Sequence, residues 1–205
     1  MRCLLLSSVL LLWMGCAPAY KNLVSAEGSV NDLLKLKPLF SVALYKTNVD
    51  VKGNHLSGLL LIKRMPDSST RLVFSNEMGF KFFDFEFDSS GKFKVYSIIP
   101  RLDKKAVITT LRKNFELILM DRLDSSAVII RKEPGYRYYT FPQSKGFYHY
   151  VTNSNGDTLV RMERASKRKP VVQAIMKDYI NGIPDTIGIT HRNFDFTISL
   201  KRIER

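Results

Sequence analysis

FSVALYKTNVDVKGNHLSGLLLIKRMPDSSTRLVFSNEMGFKFFDFEF, residues 40–87, decides the fold class. It divides into runs rich in β-branched and aromatic residues at 40–51, 56–65, 70–75 and 80–88, and a fifth run follows at 92–99. The separators are Lys52-Gly53-Asn54, Pro66-Asp67-Ser68-Ser69, Asn76-Glu77-Met78-Gly79 and Ser89-Ser90-Gly91. Gly, Asn, Asp and Pro supply turn conformations, and connections this short join antiparallel neighbours. Within the fourth run Phe83, Phe85 and Phe87 share one face, with Asp84 and Glu86 on the other. Phe80 and Phe82 fall on the opposite phase, which requires either cover on both faces or a bulge.

Working outward, residues 102–120 carry Val107, Ile108, Leu111, Phe115, Ile118 and Leu119 at helical spacing. Lys104, Lys105, Arg112, Lys113 and Glu116 occupy the other side, so the spacing predicts an amphipathic helix. Strand signals resume at 126–132, 135–141, 146–152 and 157–165, and Asn153-Ser154-Asn155-Gly156 is a hairpin signal. Val171 to Tyr179 reads as a strand or a short helix. The final run, 186–202, slips phase by one near Asn193. Before residue 40, Ser25 to Leu39 is a candidate helix ended by Pro38. These elements predict one α+β domain of about ten antiparallel strands, with one or two helices packed on a single concave face.

The chain has 205 residues, 45% hydrophobic and 11% aromatic, enough for one well-packed core. Its net charge of +13 suits an anionic membrane surface or a nucleic acid. Compartment separates the two, and the N-terminus specifies compartment. MRCLLLSSVLLLWMGC has a basic start at Arg2 and an apolar run from Leu4 to Met14 that is too short to span a bilayer. These are the parts of a secretory signal. Its end, Gly15-Cys16, resembles the lipobox of bacterial lipoproteins, with Trp13 where that motif usually has Leu. The expected organisation is a signal over 1–15, a lipid-anchored tether over 16–27 with diacylglycerol on Cys16, and the folded domain over 28–205. The alternative is an ordinary cleaved signal ending near Ala17-Pro18-Ala19. No acidic residue follows Cys16 directly, so an outer-membrane anchor facing the periplasm is expected, with no nucleic-acid partner.

Catalytic patterns are scarce. Cys3 and Cys16 are the only cysteines, which leaves none in the expected domain for a disulfide, a metal or a nucleophile. His55, His149 and His191 have no ligand spacing, and no nucleophile-elbow, zinc-protease or phosphate-loop motif occurs. No catalytic residue, metal or cofactor is expected, and so no enzyme. Asp84 and Glu86 read as a solvated strand face. The basic run Arg161, Arg164, Lys167, Arg168, Lys169 reads as a solvated loop or a contact for lipid phosphates. The aromatics of 135–150 read as core or as a stacking platform. A curved sheet roofed by an amphipathic helix can enclose an apolar cavity, and such a cavity accepts acyl chains without hydrogen bonds.

The segment from Phe40 to Met120, with "FSVALYKTNVDVKGNHLSGLLLIKR" and "STRLVFSNEMGFKFFDFEF", resembles the LolA/LolB-like lipoprotein localisation family. The closing "IPDTIGITHRNFDFTISL" resembles that family's last hairpin. The resemblance implies an unclosed half-barrel with a helical lid over a hydrophobic cavity. It implies binding of acyl chains or lipoproteins for delivery to the outer membrane, with a soluble periplasmic carrier of the LolA type as partner. Cys16 points to the membrane-anchored LolB side. Leu44, Leu60, Ile62, Phe83, Phe85, Ile108, Leu111 and Phe115 are the candidate lining. Met78, in the loop after the third strand run, is the candidate membrane contact. The rival reading is an envelope lipoprotein that recruits a protein partner.

Overall fold

Buried and exposed side chains alternate along most strands, so one sheet face holds the apolar residues and the other is largely polar. The computed structural model describes residues 18–121 and 123–203; the signal and the expected lipidation site Cys16 lie outside them. The chain forms β1 (Val24–Ser25), α1 (Val30–Leu34), β2 (Val42–Val51), β3 (Asn54–Arg64), β4 (Thr70–Ser75), β5 (Lys81–Phe87) and β6 (Phe93–Ile98). Then come α2 (Lys105–Leu119), β7 (Ile129–Glu133), β8 (Tyr136–Pro142), β9 (Phe147–Asn153) and β10 (Leu159–Ala165). β11 (Pro170–Ile180), β12 (Ile183–His191) and β13 (Phe196–Arg202) complete it.

The thirteen strands of the described residues form one open antiparallel sheet in the order β1-β7-β8-β9-β10-β11-β12-β13-β2-β3-β4-β5-β6. Sequence neighbours pair through short turns. Two pairings join distant segments: β1 pairs β7 at Val24↔Lys132 and Ser25↔Arg131, and β13 pairs β2 from Phe196↔Val51 to Arg202↔Tyr45, the seam between the two halves of the chain. Antiparallel order puts alternate turns on opposite rims. The β2–β3, β4–β5, β8–β9, β10–β11 and β12–β13 turns share one rim, and the β3–β4, β5–β6, β9–β10 and β11–β12 turns share the other.

The turn chemistry places these hairpins well, and several details are resolved. The slip at Phe82 is a bulge, because Phe74 pairs Phe83 while Ser75 pairs Lys81. The slip near Asn193 is the β12–β13 turn. Residues 171–179 belong to strand β11. Gly58 is required where it stands, since a Cβ there would lie 2.1 Å from the Ser75 carbonyl oxygen.

Three expectations change. The helix expected over 25–39 is only the five residues of α1, capped by the Ser29 hydroxyl; residues 35–41 continue as irregular chain that buries Leu33 and Phe40. Asp84 and Glu86 are buried at 3% and 7% exposure, because Arg71 lies over them with Nε 2.5 Å from Asp84 and an ion pair to Glu86. Burial pushes the Asp84 carboxyl up, but the hydrogen bonds from Arg71 and Lys81 outweigh it and hold it below its ordinary range. Residues 18–27, expected as tether, lie against the convex face. Ala19 N–H donates to the Arg168 carbonyl, the Tyr20 hydroxyl donates to Glu163 at 2.6 Å, and β1 pairs β7.

His149 and His191 are both buried. His149 stacks 4.5 Å from the Tyr20 ring and bonds the Thr140 hydroxyl through Nδ1. His191 faces Asn114 of α2 at 3.0 Å. Burial pushes each down to about 4, helped by Arg131 and Arg161 at His149 and by Arg164 at His191. The unfolded chain therefore binds these protons first. Their contribution is whole above the ordinary histidine range near 6.5 and is lost as pH falls from there towards about 4. The unfolding free energy read from urea titrations should fall across that interval by on the order of 1–3 kcal/mol per histidine. His191→Gln should flatten the slope; an unchanged slope in that variant contradicts the account.

Candidate functional site

The concave face is built by register. Tyr45 pairs Leu60, Leu60 pairs Phe74, and Phe74 pairs Phe83, so all four point the same way. Ala43, Ile62, Leu72 and Phe85 form a second row beside them. Phe83 and Phe85 stack at 4.3 Å between ring centroids, and Phe83 meets Phe115 of α2 at 5.9 Å. The apolar stripe of α2 thus rests on this face, with Leu111, Phe115, Leu117, Ile118 and Leu119 all buried. Hydrogen bonds tie α2 to the sheet: the Tyr150 hydroxyl donates to the Leu117 carbonyl at 3.2 Å, the Tyr148 hydroxyl donates to Glu116 at 3.2 Å, and Asn114 meets His191 at 3.0 Å; within the sheet the Tyr45 hydroxyl donates to the Pro184 carbonyl at 2.8 Å.

Of the candidate lining residues, Leu60, Ile62, Phe83, Phe85, Leu111 and Phe115 come together here. Ile108 sits one turn nearer the α2 N-terminus and is half-buried. Leu44 is a correction. Strand period two turns it to the convex face, in the row Leu44, Leu61, Val73, Asp84. Tyr45, Leu72 and Phe74 are the concave residues the sequence reading missed. The buried alternation Ala43, Tyr45, Thr47, Val49 carried the signal for the first of these.

The space expected beneath α2 is occupied, in this conformation, by the side chains expected to line it. Leu60, Ile62 and Phe85 are each at most 1% exposed. Open volume lies beside the C-terminal end of α2 instead. One cleft of about 260 Å³ runs between the β5–β6 turn, α2 and β9, and touches Phe87, Arg112, Glu116, Tyr148 and Tyr150. A second, of about 300 Å³, is more apolar and runs along Pro38, Leu39, Phe40, Thr70 and Leu119. Lys37, Arg64, Leu119 and Asp121 border both. Lys37 Nζ is 2.6 Å from Asp121 and Arg64 is 3.8 Å away, so this ion pair stands between the clefts.

Charge collects at the other side of α2. Burial and the nearby Arg164 hold the Lys113 ammonium below its ordinary value, and burial does the same to Arg164. Met78 is 94% exposed and Phe80 60%, both at the β4–β5 turn. Among the described residues no cluster of three or more His, Cys, Asp or Glu is arranged to hold a metal ion, and no helix is long and apolar enough to cross a membrane. The aromatics of 135–150 are mainly core: Tyr138, Tyr139, Phe141, Tyr148 and Tyr150 are all buried.

No family model and no curated protein matches the chain. Among solved structures, a LolA superfamily protein from Nitrosomonas europaea is similar over 87% of this chain and 93% of its own, with a TM-score of 0.52 at 8% identity. A DUF1329 family protein from Desulfovibrio piger (TM-score 0.43, 9% identity, 85% and 89% covered) is also similar. So is a putative outer membrane lipoprotein-sorting protein domain from Vibrio parahaemolyticus (0.43, 8%, 85% and 88%). The first of these establishes a likeness of fold: the chain has the open half-barrel architecture of a LolA superfamily protein, at a distance where sequence similarity has faded.

Proposed function

We propose that the chain is a lipoprotein, anchored through Cys16 to the outer membrane on its periplasmic side, that takes up acyl chains of lipids or lipoproteins and passes them to the membrane. The observation that carries this reading is the continuous apolar layer between the concave sheet face and a single amphipathic helix. Around Phe83, Phe85, Leu111 and Phe115 that layer is apolar, so an acyl chain can replace side chains there without needing hydrogen bonds, while displacing α2 breaks its bonds to Tyr148, Tyr150 and His191. The fold likeness supports the reading, and a soluble carrier of the LolA type is the partner that would hand over the ligand.

With Phe115 of α2 packed on Phe83, the described conformation is the closed one in this reading. Loading moves α2 off Phe83 and opens the bar at Lys37–Asp121, starting from the apolar cleft beside Leu119. Exposing Leu111, Phe115 and Ile118 costs about 1.5–3 kcal/mol each. Burying an acyl chain returns about 0.8 kcal/mol per CH₂. A chain of ordinary length therefore offsets the opening when it comes from water. Coming from a bilayer it gains almost nothing, because it was already in hydrocarbon, and the ligand is free to leave. Met78 and Phe80, exposed on one rim, are the residues that press into lipid. The rival reading, a protein-recruiting lipoprotein, draws on the same filled interior and on the edge strand β6, whose Val95 and Tyr96 are exposed.

Mass spectrometry of the unlipidated chain from Ala17 onward, purified without detergent, separates the two. Co-purifying acylated species, lost in Phe115→Asp, are expected. A ligand-free protein held by a protein partner supports the rival. Metabolic labelling with palmitate tests the anchor: the natural chain should take label and Cys16→Ser should take none, and an unlabelled natural chain contradicts the lipidation.

A further inference from the structure

The position of the chain start and the charge of one rim combine into an orientation. Pro18 to Tyr20 do not swing free, since Ala19 is bonded to Arg168 at 2.8 Å and Tyr20 is bonded to Glu163 and stacked on His149. Arg168 lies in the β10–β11 turn. Two residues of chain span at most about 7 Å. Cys16 precedes Pro18 by two residues, and the strap that begins at Pro18 is fixed beside this turn.

The same turn carries Lys167, Arg168 and Lys169, all exposed. The β8–β9 turn, with exposed Lys145, sits against it, because a Cβ on Gly146 would lie 2.1 Å from the Ala165 carbonyl oxygen. The β12–β13 turn, with exposed Arg192, is bonded to the start of β11 through the Val171 carbonyl. None of these five cations makes an ion pair among the described residues. Lys113 and Arg164 add further positive charge just inside the corner. The turns of this rim carry six cations, with Lys52, against Glu77 and Asp195, whereas those of the opposite rim carry Asp67, Asp88 and Asp157 against Lys92. The half-barrel is thus polarised from rim to rim, and its basic end is the end from which the chain leaves towards Cys16.

We propose that the rim bearing the β8–β9 and β10–β11 turns faces the membrane, and that Lys145, Lys167, Arg168 and Lys169 bind the phosphates of an anionic bilayer surface. The orientation rests on the reading of Cys16 as the lipid-bearing residue; the phosphate binding is a property of the folded domain alone. Uncompensated cations bind a negative surface through its potential, and the attraction decays within a Debye length. The strap is too short to let the domain wander further than that. The β4–β5 turn with Met78 lies on the same rim, so the charge contact and the apolar tip meet one surface.

The test uses the unlipidated chain from Ala17 onward, which retains every described element. Its co-sedimentation is measured with vesicles of phosphatidylcholine alone and with about one third phosphatidylglycerol. Preferential binding to the anionic vesicles is expected, weakening as salt rises. Each cation is worth about a fivefold change. The Lys145→Gln, Lys167→Gln, Arg168→Gln, Lys169→Gln variant should lose binding by more than about tenfold. A control with Lys46→Gln, Lys63→Gln, Lys132→Gln, Lys177→Gln, of equal charge but on the strand walls, should lose far less. No preference for anionic vesicles, equal loss in both variants, or tighter binding to a single-stranded oligonucleotide than to the vesicles would each overturn the proposal. Acyl-chain capture by the same proteins keeps the two readings apart. The four-Gln corner variant should still capture acyl chains, whereas failure of the natural chain to capture them counts against the carrier reading alone.

Discussion

The contact between Phe115 and Phe83 is the point at which the two layers of this protein meet, and the architecture depends on it. A sheet that curves without closing leaves one face apolar along its whole length, and water must be kept from that face. Among the described residues only one helix of any length is available to do so. α2 therefore carries its largest side chains, Leu111, Phe115 and Ile118, on a single stripe, and the sheet answers with Phe74, Phe83 and Phe85. Losing such an aromatic from a core costs about 3–5 kcal/mol. Because the cover is a single helix held by apolar packing and few hydrogen bonds, it can be exchanged for another apolar body. Fold and proposed activity come from the same constraint.

The seam between β13 and β2 gives that arrangement its shape. It brings the first long strand and the last into the middle of the sheet, so the β5–β6 hairpin ends one side and β1, laid on the β7–β8 hairpin, ends the other. One consequence is polarity of the rims, which follows from where the turns fall and not from any single motif. Another is the strap over the convex face. Tyr20 covers His149 and reaches Glu163, which Arg161 holds on its other oxygen at 2.7 Å. A segment that composition marks as a tether is thus part of the folded body.

Local pattern carried most of the fold. Turn residues separated the strands, Phe83-Asp84-Phe85-Glu86-Phe87 declared its two faces, and the 3.6-residue spacing of 102–120 declared the helix. What pattern could not carry was set by distant partners. Arg71 decides that Asp84 and Glu86 are buried and not solvated. Docking onto β7 and β10 makes residues 18–27 ordered. The short α1 lacks the length to be helical on its own account, so packing of Leu33 and Phe40 sets its limits. The concave row was legible by alternation, yet Leu44 went to the convex side because alternation alone does not say which phase faces the helix. The occupied interior was not legible at all, since the same residues line a hollow or fill it.

The most direct measurement of the central claim uses the absence of tryptophan after Trp13. In the chain from Ala17 onward, Phe115→Trp places the sole indole where α2 meets the sheet. Titration with an acylated peptide bearing bromine along its acyl chain should quench that emission in a saturable way, while a Trp placed at exposed Lys46 stays unquenched. Emission from position 115 that ignores the brominated chain, or quenching equal at both positions, would contradict a ligand that enters beneath α2.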